Sequence, residues 1–102
     1  MNTIFDYPCK ERILNFSQCK YLSEVHHIIQ QELELPDWYG RNLGALWDSL
    51  TGIMYTPAEV TIIYNPNCKD EALAAEIDKM IEIFKSAAEE YGEIVVHVQT
   101  SG

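Results

Sequence analysis

The sequence predicts an α/β fold: a three-stranded parallel sheet in the order 1-2-3, with the helices packed against it as a second layer. Three observations predict it. Short strand candidates stand at 13–16, 60–64 and 94–98, and each is separated from the next by helical patterns. Strands joined through helices pair in parallel by right-handed crossovers. Three strands in sequential order place every crossover helix on one face of the sheet.

The elements follow in order. Residues 1–12 read as an irregular lead-in, with Pro8 and mixed polarity. Ile13-Leu14-Asn15-Phe16 is the first strand candidate, ended by Ser17 and Gln18. Ser23 is expected to cap the first helix, with Glu24 in its first turn. Val25, Ile28, Ile29 and Leu33 put one helical face in the core. His26 and His27 point about 100° apart on that helix and are expected at its surface or boundary. Pro36 is expected to stop it.

A second helix is expected from about Leu43 to Thr51, capped by Asn42 and left at Gly52. The β-branched run Val60-Thr61-Ile62-Ile63-Tyr64 follows, then the turn Asn65-Pro66-Asn67. A long helical pattern covers about 70–91, with a break near its start allowed. Its apolar stripe is Leu73, Ile77, Met80, Ile81, Phe84, Ala88 and Tyr91. Gly92 ends it. In the last strand Ile94, Val96 and Val98 alternate with His97 and Gln99, so one face is expected to be less buried.

Residues 1–102 read as a single domain, with no repeat and no second unit. An apolar fraction of 47% beside 23% charged residues is that of a globular chain. The 16 acidic and 7 basic side chains give a formal net charge of −9. That charge disfavours nucleic acid and anionic membrane and favours a basic partner. Cys9, Cys19 and Cys68 show no C-x-x-C spacing, and there is no apolar leader or span. The expectation is a cytoplasmic protein with free thiols. No phosphate-binding glycine loop, metal-ligand cluster or nucleophile constellation stands out, so neither an enzyme nor a cofactor is expected.

Residues 35–52 carry the functional signal. On a helical wheel Leu43, Leu46, Trp47 and Leu50 fall in one arc, the core face. The opposite arc holds Gly44, Ala45, Asp48, Ser49, Thr51 and Gly52. A solvated face normally carries long charged side chains. This one is flat, with a single carboxylate, as if another surface comes close. Trp38 and Tyr39 precede it in a turn, where one is expected to anchor the loop and the other to stay exposed as an interface anchor.

The run Leu35-Pro36-Asp37-Trp38-Tyr39-Gly40-Arg41-Asn42-Leu43, followed by Leu46-Trp47-Asp48, resembles the signature of the barstar family, intracellular inhibitors of a secreted bacterial ribonuclease. The resemblance extends over the chain except the lead-in. It implies a three-stranded parallel sheet with helices, and a helix after the Tyr-Gly turn that plugs the ribonuclease active site. By resemblance, Asp48 matches the acid that reaches the phosphate pocket, and Trp38 matches an aromatic that stacks at the interface. Gly40, Asn42, Ala45, Trp47, Thr51 and Gly52 match the contact surface, and Gly44 shares its outward face. The chain also departs from the family pattern. Gly44 and Ser86 stand where acids are found, Arg41 where the residue is acidic, and Ile53 where it is aromatic. Glu82 and Glu89 lie about a helical turn from Ser86.

The expected function is inhibition of a bacterial ribonuclease toxin by an immunity protein, a monomer that forms a one-to-one complex. The alternative is a barstar-like binding module with a non-nuclease partner.

Overall fold

The computed structural model describes residues 10–52, 58–90 and 92–101. Its elements are β1 (Lys10–Asn15), α1 (Leu22–Glu32), α2 (Leu43–Gly52), β2 (Ala58–Tyr64), α3 (Glu71–Glu90) and β3 (Ile94–Thr100). The sheet is parallel throughout, in the order β1-β2-β3. Leu14, Ile62 and Val98 share one register row, and Arg12, Val60 and Val96 the next.

These rows lie on the face that the helices cover. Leu14, Phe16, Ala58, Val60, Ile62 and Ile94 are buried there against Val25 and Ile29 of α1, Leu46 and Leu50 of α2, and Leu73, Ile77, Met80 and Phe84 of α3. Period 2 in the strands and period 3.6 in the helices thus bring one core together from both layers.

Several boundaries differ from expectation for identifiable reasons. The first strand begins at Lys10, so the end of the expected lead-in is sheet, and residues 1–9 lie outside the described residues. Phe16 prolongs the pairing through its N–H to Ile63 O at 2.7 Å. Ser23 is not the cap of α1: that position is Tyr21, and Ser23 sits inside the first turn. The stronger local acceptor is Glu24, whose Oε1 takes the N–H groups of Lys20 at 2.7 Å and Tyr21 at 3.0 Å. The reaching-back glutamate of a capping box therefore decides the start. These two bonds also hold the Glu24 carboxyl below its ordinary pKa.

At its other end α1 closes before Pro36 acts. Leu35 N–H bonds to Gln30 O at 2.9 Å and Glu34 N–H to Gln31 O at 3.3 Å, with Glu34 at φ 54. That is the Schellman pattern, with a glutamate where glycine is usual.

The third helix is unbroken, and Asp70 Oδ1 caps it by accepting Leu73 N–H at 3.0 Å. Ala87 joins its buried stripe, while Ala88 is half-buried beside the core. Tyr91 and Ile53 lie outside the described residues. In β3 the alternation fades. Val98, on the helix-facing side, is 37% exposed, because the helix layer covers the edge strand only at its start.

Candidate functional site

The site is built from the end of α1, the loop 36–42 and α2. Tyr39 N–H bonds to Pro36 O at 3.0 Å and closes a turn over Pro36-Asp37-Trp38-Tyr39. Adjacent side chains in this turn diverge. Tyr39 is 5% exposed and enters the core, while Trp38 is 72% exposed. One aromatic anchors the loop and the other projects, as the sequence pattern predicts.

Two α1 side chains hold the loop from beneath. His26, 3% exposed, meets the Tyr39 hydroxyl through Nδ1 at 2.9 Å. Gln30, 6% exposed, donates from Nε2 to Pro36 O at 2.9 Å and accepts from Arg41 Nη2 at 2.9 Å. His26 is thus not the surface or boundary residue expected, whereas His27 is exposed. The available signal was its position: His26 and Gln30 are one helical turn apart and flank the core residues Val25 and Ile29. Periodicity in hydrophobic residues alone passes over a polar pair that is buried because it is bonded.

Burial, with Arg41 nearby, pushes the His26 imidazole below its ordinary range, and Glu76 opposes this. Burial pushes the Tyr39 phenol up to about 12. Both groups are therefore neutral near pH 7. The imidazole that carries its proton on Nε2 accepts the phenol O–H at Nδ1.

Arg41 takes φ 54 as the chain enters α2. Asn42 then caps the helix. Its Oδ1 accepts Ala45 N–H at 2.8 Å, its carbonyl accepts Leu46 N–H at 2.9 Å, and its Nδ2 donates to Gly40 O at 3.2 Å. Gly40 has a steric reason to be glycine, since a Cβ there would stand 3.1 Å from Ala45 Cβ.

Along α2, Leu46 and Leu50 are buried, and Leu43 and Trp47 are half-buried against the core, as is Ala45, which the helical wheel puts on the outward arc. Ser49 was expected on the outward arc but is 2% exposed, its hydroxyl donating to Ala45 O at 2.8 Å. A small side chain that bonds back to its own helix can face inwards without an unsatisfied group. Thr51 does the same towards Trp47 O at 2.8 Å and is half-buried. Gly40, Asn42, Gly44, Asp48 and Gly52 are exposed with Trp38. Among the described residues no ion pair or hydrogen bond engages the Asp48 carboxylate.

The result is an exposed surface in which the Trp38 indole projects and the Asp48 carboxylate, among small residues of α2, is available to an external cation or hydrogen-bond donor; Asp37 is also exposed beside Trp38. Of the other residues weighed for it, Ser86 and Glu89 are exposed on α3, and Glu82 approaches Lys85 at 4.0 Å. Among the described residues no group of three His, Cys, Asp or Glu side chains could hold a metal ion. Among the same residues no helix is long and apolar enough to cross a membrane. Cys19 and Cys68 are free and half-buried, and Cys9 lies outside the described residues.

Comparisons with known proteins place the chain in a family. A Bacillus subtilis (strain 168) protein named "Putative ribonuclease inhibitor YrdF" is 36% identical over 66 residues, which span 65% of this chain and 71% of that protein. The family model described as Barstar (barnase inhibitor) matches residues 9–100, and the chain belongs to that family.

Proposed function

We propose that the protein inhibits a bacterial ribonuclease by seating the 36–42 loop and α2 in the enzyme's active site, as an immunity protein that binds one-to-one. The observation that carries this reading is the pairing of an exposed Trp38 with the Asp48 carboxylate, which no described residue engages and which stands among small residues on α2. A ribonuclease pocket is lined with donors for phosphate. A carboxylate on a helix fastened to a core presents two acceptor oxygens to the same donors through charge-assisted hydrogen bonds. Gly44, Ala45 and Gly52 let the two surfaces approach, Trp38 supplies apolar contact area, and Gly40, Asn42, Trp47 and Thr51 shape the rest of the contact. The protein acts by occupying the pocket and needs no catalytic group or cofactor of its own.

The net charge of −9 suits a basic enzyme. The lack of acids at Gly44 and Ser86 favours a target whose pocket is less basic than that of an enzyme met by three carboxylates.

The test is co-purification with bacterial ribonucleases, barnase among them, followed by an RNA-cleavage assay. Binding with loss of cleavage is the expected result. A purified complex that still degrades RNA at full rate refutes inhibition and favours a binding module with another purpose. Asp48→Ala should weaken binding by about 2–5 kcal/mol, the range for truncating one member of a close interfacial charge pair, for which the barnase–barstar complex is itself a source. Glu71→Ala, on the exposed start of α3, should leave binding nearly unchanged. Equal losses from both would place the binding surface elsewhere.

A further inference from the structure

The polar groups on the inner face of α1 are not explained by core packing. A helix face directed at a sheet normally carries apolar side chains, and burying a histidine and a glutamine there costs free energy unless their buried polar atoms find partners. Here each bond leads to the same place. His26 reaches Tyr39, and the Gln30 side chain reaches Pro36 and Arg41, while the Gln30 backbone carbonyl holds Leu35 N–H at 2.9 Å. Leu35, Pro36, Tyr39 and Arg41 bracket Trp38 on both sides, while the Trp38 side chain is in solvent.

We propose that His26 and Gln30 are positioning residues for the partner-binding surface: they fix the loop that presents Trp38, and the charge on His26 sets how firmly that loop is held. This rests on the reading of that surface as the ribonuclease-binding face.

The coupling to charge follows from the bonding. With its proton on Nε2, the neutral His26 accepts the phenol O–H at Nδ1. Protonation makes Nδ1 a donor, so the bond must reverse and the buried Tyr39 hydrogen loses its acceptor. The charged groups facing His26 are Arg41, from the loop, and Glu76, from α3. Arg41 repels a second cation. Glu76 attracts it, but its Oε1 already engages Lys79 at 3.3 Å. The loop residues Tyr39 and Arg41 are therefore the ones displaced by an imidazolium.

The experiment is residue-resolved amide exchange of the full chain, followed by binding to barnase as the probe ribonuclease. The variants are His26→Leu, His26→Asn (whose amide can meet the phenol where Nδ1 does) and Gln30→Met. In His26→Leu and Gln30→Met, the Leu35 and Tyr39 amides, which are hydrogen-bonded at the two ends of the turn, should exchange about tenfold faster or more, while α3 amides change far less. His26→Asn should restore slow exchange. In the unaltered protein, loop exchange corrected for its intrinsic pH dependence should rise as pH falls below about 6.5, and in His26→Asn it should not. Dissociation from the probe should accelerate with the loop.

If His26→Leu fails to fold, Gln30→Met and the pH series on the unaltered protein decide the matter. Loop and α3 amides accelerating together, or the same pH dependence in His26→Asn, overturns the proposal. If the unaltered protein does not bind the probe, the choice of target fails, and the exchange result still decides the positioning.

Discussion

Gly40 and Gly44 look alike in the sequence, and their surroundings give them opposite roles. A Cβ at Gly40 would stand 3.1 Å from Ala45 Cβ, and Ala45 is packed against the core and cannot retreat freely. At Gly44 the nearest atom to a Cβ would be Asn42 Oδ1, at 3.4 Å, an ordinary contact. Gly40→Ala should therefore destabilise by about 1–3 kcal/mol through overpacking, read from the urea midpoint. Gly44→Glu should do the reverse. It replaces a helical glycine and puts a negative charge in the first turn of α2, which has no acid there. Together these should stabilise by about 0.5–1.5 kcal/mol. If the partner's pocket is basic opposite this position, the same variant should also bind it more tightly. Weaker binding would mean that the partner surface comes so close to Gly44 that no side chain fits.

At the scale of elements, α1 is the part that connects fold to site, and its far end is secured by an unusual device. Arg12 on β1 is buried, donates from Nη1 to Glu32 O at 2.8 Å, and pairs through Nη2 with Glu34 at 2.6 Å. A cation thus meets the negative end of the α1 dipole and the side chain of the residue held at φ 54. Arg12→Ala should cost about 2–4 kcal/mol in urea unfolding, since it removes the hydrogen bond and the ion pair and leaves a cavity. Glu34→Ala should also destabilise, because it leaves the buried guanidinium without its carboxylate. A change of less than about 0.5 kcal/mol in Arg12→Ala would place the closure of α1 in the backbone alone. Much of this fold was legible in the sequence. The β-branched runs, the 3.6-residue stripes, the Asn42 cap and the split between Trp38 and Tyr39 follow from local chemistry and appear as expected. What was not legible depends on partners distant in sequence. Arg12 reads as a lead-in charge until Glu32 and Glu34 are beside it. His26 reads as surface until Tyr39 is above it, and Ser49 as outward until its hydroxyl turns back to Ala45. The start of α1 was misplaced because the Glu24 side chain, rather than the Ser23 hydroxyl, satisfies the free N–H groups.

At the scale of the whole molecule, charge acts in two ways. On the proposed function, the formal −9 would steer a basic partner over distances that salt screens. Association with a ribonuclease should therefore slow as salt rises while dissociation changes little, and stopped-flow rates that are flat with salt would remove steering from the mechanism. The second effect is on stability, where His26 and Tyr39 limit the pH range from opposite sides. The folded pKa of His26 lies below the ordinary 6.5, so as pH falls through 6.5 the unfolded chain takes up a proton that the folded one refuses. Its contribution is complete above that value and is lost progressively below it. Tyr39 is the mirror case. Its folded pKa of about 12 lies above the ordinary 10.0, so stability falls as pH rises from 10 towards 12, where only the unfolded chain gives up its proton. Glu24, held below 4.5 by its backbone bonds, adds a separate loss only in more acid solution. Between pH 6.5 and about 5 the decline therefore belongs chiefly to His26 among the shifted groups. Urea midpoints measured from pH 5 to 11 should trace a plateau with both shoulders. His26→Asn should flatten the acid shoulder and leave the alkaline one, and Tyr39→Phe should reduce the alkaline shoulder to the part that belongs to Cys19, whose thiol is held above its ordinary 9.0 by burial and by Glu24. Shoulders that persist unchanged in both variants would assign the pH dependence to other groups and would leave the buried His26–Tyr39 bond without a role in stability.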